Sequence, residues 1–191
     1  MKNSLKHYML SQLPSPPNEA EITEILALFQ IKHFKKGEFF KKPFVAGDHL
    51  AFLKEGAVRV IIYKENGKEV TARIRQDNSF LLDPARLTGI TQSPIGIECL
   101  EDLTLLLAPI EDVKALLDTS LTLNIVMRKH MTEQIVEVAR NQYLFLTGTA
   151  KERYQYIRDN HPDLLKKFPL GFIASMIGIT PTQLSRVRNQ E

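Results

Sequence analysis

The sequence predicts an α+β protein: an N-terminal antiparallel β-roll or jelly roll, one long helix, and a C-terminal helix-turn-helix. Three observations carry that expectation. Apolar residues recur with a period of two through about residues 31–108. A single apolar stripe with helical period runs through about 120–146. Residues 170–188, LGFIASMIGITPTQLSRVR, place at each position the residue type that two tightly joined helices need. The expected organisation is a β-roll with flanking helices over 1–118, the long helix over 119–147 and the helix-turn-helix over 148–191.

With 43% hydrophobic and 25% charged residues, the 191-residue chain is composed like an ordinary globular protein, which argues against a mainly disordered one. No apolar run approaches the roughly 20 residues of a membrane helix, so no membrane partner is expected. The N-terminal MKNSLKHYMLSQL has neither a long apolar core nor a small-residue cleavage site, and reads as no signal peptide. Cys99 is the single cysteine, which excludes an internal disulfide and any multi-cysteine zinc or iron–sulfur site within one chain. The expected compartment is the cytoplasm.

PSPPN at 14–18 is a proline-rich break. Asn18 stands three residues before Glu21 in a loose capping-box pattern, and Ile22, Ile25, Leu26 and Phe29 follow at helical spacing, which predicts a helix over about 18–30. In the β part, Val58, Val60 and Ile62 alternate with Arg59 and Ile61, and Val70, Ala72 and Ile74 with Thr71, Arg73 and Arg75. Asn66-Gly67 between these runs predicts a hairpin with a type I′ turn. Gly37, Gly47 and Gly56 punctuate the earlier strands, and Ile95, Ile97, Cys99, Leu103, Leu105 and Leu107 supply later ones. Pro109 closes the β part, and 111–117 reads as a short helix.

The stripe of the long helix is Leu123, Met127, Met131, Ile135, Val138, Gln142 and Phe145. It must be buried somewhere, against its own β domain or against the same helix of a second chain. We read it as the latter, a homodimer interface. Thr149 and Glu152 then form a capping box for a further helix, with Tyr154 and Ile157 on one face.

In 170–188, Ile173, Ala174 and Ile177 mark the first helix, with Ala174 small where the second crosses it. Gly178 suits a turn with positive φ, and Ile179 plugs that turn. Thr180 is an N-cap, Gln183 completes its box, and Pro181 takes the first helical position. Leu184 and Val187 face inward, leaving an outward polar face. The N-terminal part of such a helix enters the DNA major groove. Arg186 can fork to guanine and Gln183 to adenine, while Thr182, Ser185 and Arg188 suit phosphates. Thr180, Thr182, Gln183, Ser185, Arg186, Arg188 and Asn189 are therefore the expected DNA-binding set. Charge agrees. The net charge is +3, and residues 148–191, with seven Lys or Arg against four acids, hold the whole excess.

The order roll, long helix, helix-turn-helix resembles the bacterial Crp/Fnr family of transcription regulators over about 18–190, on FKKGEFF, VAGDHLAFLKEGAVRV and the IYKENGKEV hairpin. The resemblance implies a cyclic-nucleotide-binding-like roll, a homodimer on double-stranded DNA, RNA polymerase as a further partner, and Arg186 at the family's base-reading arginine. The acidic reader that precedes that arginine in the family is absent; Thr182 or Gln183 occupies its region. The family's nucleotide cassette is a Gly-Glu pair followed by an Arg-Ser or Arg-Thr pair. Here the segment reads DNSFLLDPARLTGITQSPIGIECLED, with Leu81-Leu82 at the Gly-Glu position and no arginine in 92–95. Leucine neither accepts a hydrogen bond from ribose nor pairs with phosphate, so cyclic nucleotide binding is not expected, no cofactor is expected and the effector stays unnamed. Arg86 is either a displaced anion ligand or, more plainly, a surface arginine. Family members usually continue into a β wing, and this sequence, ending at Glu191, reads as a wingless form.

The five histidines lack metal spacing, and His130, near the stripe, reads as an interface residue. Without a Gly-rich phosphate loop or a nucleophile–base pattern, the sequence gives an enzyme no residues to work with. A second class stays open: a ligand-binding or protein-interaction module built on the altered roll.

Overall fold

The computed structural model describes residues 1–90 and 92–189; Glu191, on which the wingless reading rests, lies outside the described residues. Two helices precede the first strand. The helix α1 (Lys2–Gln12), which no sequence signal announced, buries Leu5 and Met9 one turn apart. The next, α2 (Glu19–Leu28), starts where Asn18 accepts a hydrogen bond from the Ala20 amide at 2.9 Å. Glu21 does not close a capping box; its carboxylate accepts a hydrogen bond from the Thr122 hydroxyl in a later helix.

Eight strands follow: β1 (Gln30–Phe34), β2 (Phe39–Lys41), β3 (His49–Leu53), β4 (Val58–Tyr63), β5 (Glu69–Arg75), β6 (Ser79–Leu81), β7 (Ile95–Cys99) and β8 (Leu103–Pro109). They form two four-stranded antiparallel sheets, ordered β1-β8-β3-β6 and β2-β7-β4-β5. Between the sheets lie Ala51, Leu53, Leu105 and Leu107 from the first, and Val58, Ile97 and Cys99 from the second. Burial pushes the Cys99 thiol up to about 11, so it stays protonated and packs as a small apolar group. The opposite face of the first sheet is covered too. Leu50, Phe52, Leu106 and Ala108 pack against α1, α2, α3 (Ile110–Leu117) and the start of α4 (Leu121–Thr147). Two buried faces explain why β3 and β8 are nearly continuous apolar runs rather than alternating ones.

The β4–β5 hairpin forms as expected, but its turn differs. Only Gly67, at φ +75°, takes a positive φ there. The Gly67 amide donates to the Lys64 carbonyl at 2.9 Å and the Lys64 amide to the Lys68 carbonyl at 3.0 Å. This is a three-residue type I loop with glycine at the bulge position, the alternative to a type I′ turn. Asn66 supports it by accepting from the Lys68 amide instead of adopting a left-handed backbone. A second bulge lies within the hairpin. Val60 pairs with Arg73 and Ile61 with Thr71, leaving Ala72 as the extra residue. One inserted residue reverses the faces of the rest of a strand.

The outer face of the second sheet carries the C-terminal helices α5 (Ala150–Asn160), α6 (Pro162–Lys167), α7 (Leu170–Met176) and α8 (Pro181–Asn189). Their core of Tyr154, Ile157, Leu164, Ile173, Ala174, Ile177, Leu184 and Val187 incorporates Ala57 and Ile74 from the roll. β5 is an edge strand, and α7 covers it: the Thr71 amide donates to Ser175 Oγ at 2.9 Å. Arg59, paired with Glu98 at 2.6 Å, lays its guanidinium 4.3 Å from the Phe172 ring centre.

The long helix α4 is capped by Ser120, which accepts from the Leu123 amide. Its stripe is divided. Leu123 and Met127 lie in the protomer's own core and Met131 packs against it, so the first three expected interface residues are taken up internally. His130 is buried as well, edge-on to Phe80 at 5.5 Å, and not at an interface. From Ile135 onward the helix has left that core: Ile135 is 67% exposed, and Val138, Gln142 and Phe145 are exposed with it. Among the described residues no helix is long and apolar enough to cross a membrane.

Candidate nucleic-acid interface and adjoining cavity

The α7–α8 pair is built as its sequence dictates. The Ile179 amide donates to the Ala174 carbonyl at 2.9 Å and closes the turn. Gly178 takes φ +69°, and a Cβ there would stand 2.3 Å from Phe145 Cε2. Glycine is thus required twice, by backbone and by space. Gln183 Oε1 accepts from the Thr180 amide at 2.9 Å while the Gln183 amide donates to Thr180 Oγ1 at 3.1 Å, a complete capping box ahead of Pro181. Leu184 and Val187 are buried; Thr180, Thr182, Gln183, Ser185, Arg186, Arg188 and Asn189 are all exposed. All seven are thus exposed, away from the buried Leu184 and Val187. The structure corrects one role: the Gln183 oxygen is committed to the cap, so this side chain does not present the free donor–acceptor pair that adenine reading needs.

Arg153 is a residue that sequence reasoning counted only as surplus charge. Its Nη1 donates to the Ile177 carbonyl at 2.8 Å, its Nε to the Gly148 carbonyl at 3.2 Å, and its guanidinium lies 4.9 Å from the Phe145 ring centre. It ties together the end of α4, the start of α5 and the turn before α8. A lone arginine in a basic segment carries no sequence mark of such a role.

A cavity of ≈ 540 Å³ lies where α4 crosses the mouth of the roll. Its wall includes Val60, Ile62, Leu81, Ile95 and Ile97 from the roll, and His130, Gln134 and Val138 from α4. Because of the bulge at Ala72, Arg73 and Arg75 line it too, while Ile74 turns outward to the C-terminal core. Arg75 Nη1 donates to Glu137 Oε2 at 2.6 Å, and Arg75 also donates to Gln134. Burial and then the neighbouring Arg75 charge hold the Arg73 guanidinium below its ordinary range, partly opposed by Glu137. Burial, and less so Arg75, lowers His130 to about 4, so it is neutral at physiological pH.

The cassette segment contributes Leu81, Leu82 and Pro84 to this cavity, all apolar. Arg86 turns the other way, pairing with Glu111 at 3.1 Å and Asp48 at 3.8 Å on the α3 side, as a structural arginine rather than an anion ligand. Asp83 caps the 3-10 turn Pro84–Thr88 at the Ala85 amide and forms a fully buried pair with Lys41 at 2.8 Å. Among the described residues no cluster of metal-ligating side chains occurs.

Residues 31–120 match the family model of the cyclic nucleotide-binding domain. Among curated proteins no sequence matches the chain. Solved structures do match over most of it. The c-di-GMP responsive global regulator CLP of Xanthomonas campestris superposes with TM-score 0.71 at 13% identity, covering 91% of both chains. A transcriptional regulator of the Crp/Fnr family from Eubacterium rectale gives 0.69 at 19% identity, covering 94% of this chain and 87% of that one. The catabolite activator protein of Thermus thermophilus gives 0.57 at 19% identity, covering 91% and 83%. Residues 31–120 are thus similar to a cyclic nucleotide-binding domain, and over most of its length the chain shares the fold of these solved structures.

Proposed function

We propose that this chain is a homodimeric, sequence-specific DNA-binding transcription regulator and not an enzyme, working in the cytoplasm with RNA polymerase as a further partner. One observation carries the reading: α8 buries Leu184 and Val187 and holds its polar, basic face, with Arg186 and Arg188, free of the protomer. Such a helix enters the major groove, and a second copy about 34 Å away reads the other half of a near-palindrome. The exposed second half of α4, from Ile135 to Phe145, supplies an apolar face on which two copies can pair.

The residues at the cassette positions do not fit a cyclic nucleotide. Leu81 and Leu82 offer ribose nothing, and Arg86 is engaged elsewhere. We assign the effector site to the cavity between roll and α4 and expect no cofactor and no cyclic AMP response. An effector there acts by favouring one dimer arrangement over another.

The test is selection of double-stranded DNA by the purified protein at about 0.15 M salt, where non-specific phosphate attraction is screened. An enriched pseudo-palindrome is expected, and Arg186→Ala should then weaken binding to it by about 1–3 kcal/mol. If the double change Gln183→Ala, Arg186→Ala leaves both DNA binding and cellular phenotype unaltered, the chain is instead a ligand-binding or protein-interaction module.

A further inference from the structure

The cavity holds more positive charge than its wall neutralises. Arg73 and Arg75 both enter it from β5. Glu137, on α4, is committed to Arg75 at 2.6 Å, and Gln134 reaches Arg73 only at 3.5 Å. His130, a further titratable group on the wall of this cavity, is neutral. Among the described residues no carboxylate stands within ion-pair distance of Arg73, although that side chain is half-buried. A guanidinium held partly out of water without an ion pair of its own is costly unless something offsets it. The sequence does not require the arrangement: without the bulge at Ala72, position 73 would face the other way.

Apart from His130, Gln134 and Gln142 the rest of the wall is apolar, and ≈ 540 Å³ is the size of a small-molecule site. The chemistry is that of a greasy slot with one cationic anchor. We propose that this cavity binds a small amphipathic organic anion, its apolar body against Val60, Ile62, Leu81, Ile95 and Ile97 and its single anionic head on Arg73. The anion anchor thus sits on β5, not in the cassette segment, where Arg86 is spent on Glu111. This deepens, and rests on, the assignment of the cavity as effector site.

The experiment uses the full chain, which has no tryptophan to interfere with an extrinsic fluorophore. Anilinonaphthalene sulfonate, itself an amphipathic anion, is bound and then displaced by decanoate or by its neutral counterpart decanol. Decanoate should displace it at a concentration lower by about tenfold, the worth of one charge-assisted hydrogen-bonded contact. Arg73→Met should erase that preference and Arg73→Lys should keep most of it. Gln134→Glu, which supplies a carboxylate beside Arg73 without removing it, should also erase the preference, and covers the case in which Arg73→Met does not fold. Equal displacement by decanoate and decanol, or a preference that survives in both Arg73→Met and Gln134→Glu, overturns the proposal. DNA binding is followed in the same samples by anisotropy. DNA binding without an anion preference removes the ligand assignment alone. An anion preference without DNA binding upholds the ligand assignment and removes the regulator reading alone.

Discussion

The Phe145 ring, in the last turns of α4, occupies the space that a side chain at Gly178 would need, with Cε2 2.3 Å from the position of a Cβ there. The end of the long helix therefore bears directly on the turn that sets α8. Arg153 lies against the same ring and holds the Ile177 carbonyl next to that glycine. Phe145, Arg153 and Gly178 thus form a packed joint between the end of α4 and the turn before α8.

Gly178→Ala should lower stability by about 2–4 kcal/mol, the sum of a strained φ and an overpacked contact. Phe145→Ala in the same chain should recover the packing part and leave the backbone part. The double-mutant cycle by urea unfolding should therefore show a coupling of roughly 1–2 kcal/mol. Strict additivity would mean that the ring simply moves aside.

The two halves of the α4 stripe should respond differently. Ile135→Glu should leave unfolding of the protomer nearly unchanged and shift sedimentation from dimer to monomer. Leu123→Ala, in the core beside α1 and α3, should instead cost about 2–5 kcal/mol with no direct effect on association.

Lys41 and Asp83 are both almost fully buried, at 2% and 3% side-chain exposure. Lys41→Met should destabilise by about 3–5 kcal/mol because it strands a buried carboxylate that also caps the 3-10 turn. Lys41→Met with Asp83→Asn removes the charge and keeps the cap, and should recover much of the loss in a thermal melt.

Acid sensitivity should trace in part to His130. Its pKa in the folded chain is about 4, lowered chiefly by burial, against about 6.5 when unfolded. Below 6.5 the unfolded chain binds a proton that the native site refuses, so this contribution is complete above 6.5 and is lost as pH falls through 6.5 towards 4. Urea midpoints at pH 7 and pH 4.5 should differ less in His130→Leu than in the parent. An equal difference would place the acid sensitivity elsewhere.

The α7–α8 pair was legible because every determinant is local: Gly178, Thr180, Pro181 and Gln183 each act within one turn. The same holds for Asn18 and Thr149 as caps. What the sequence hid is long-range. Alternation on β5 shows Arg73 and Arg75 as the polar face, yet the strand has no solvent side: α7 covers one face and the cavity opens on the other. Nothing in the letters TARIR marks Ala72 as an inserted residue. The stripe of α4 likewise has one chemistry along its length, while its surroundings change near Met131. The helix α1 escaped notice because its two buried residues, Leu5 and Met9, make too short a pattern to register.

Ala57 and Ile74 sit in the core of helices that begin some eighty residues later in the chain. Those helices complete their own interior with residues of the β4–β5 region. The C-terminal unit is therefore not a portable cassette. Grafted onto another roll, it would leave Ile173, Ala174 and the Phe172 ring without a floor unless the β4–β5 hairpin travelled with it.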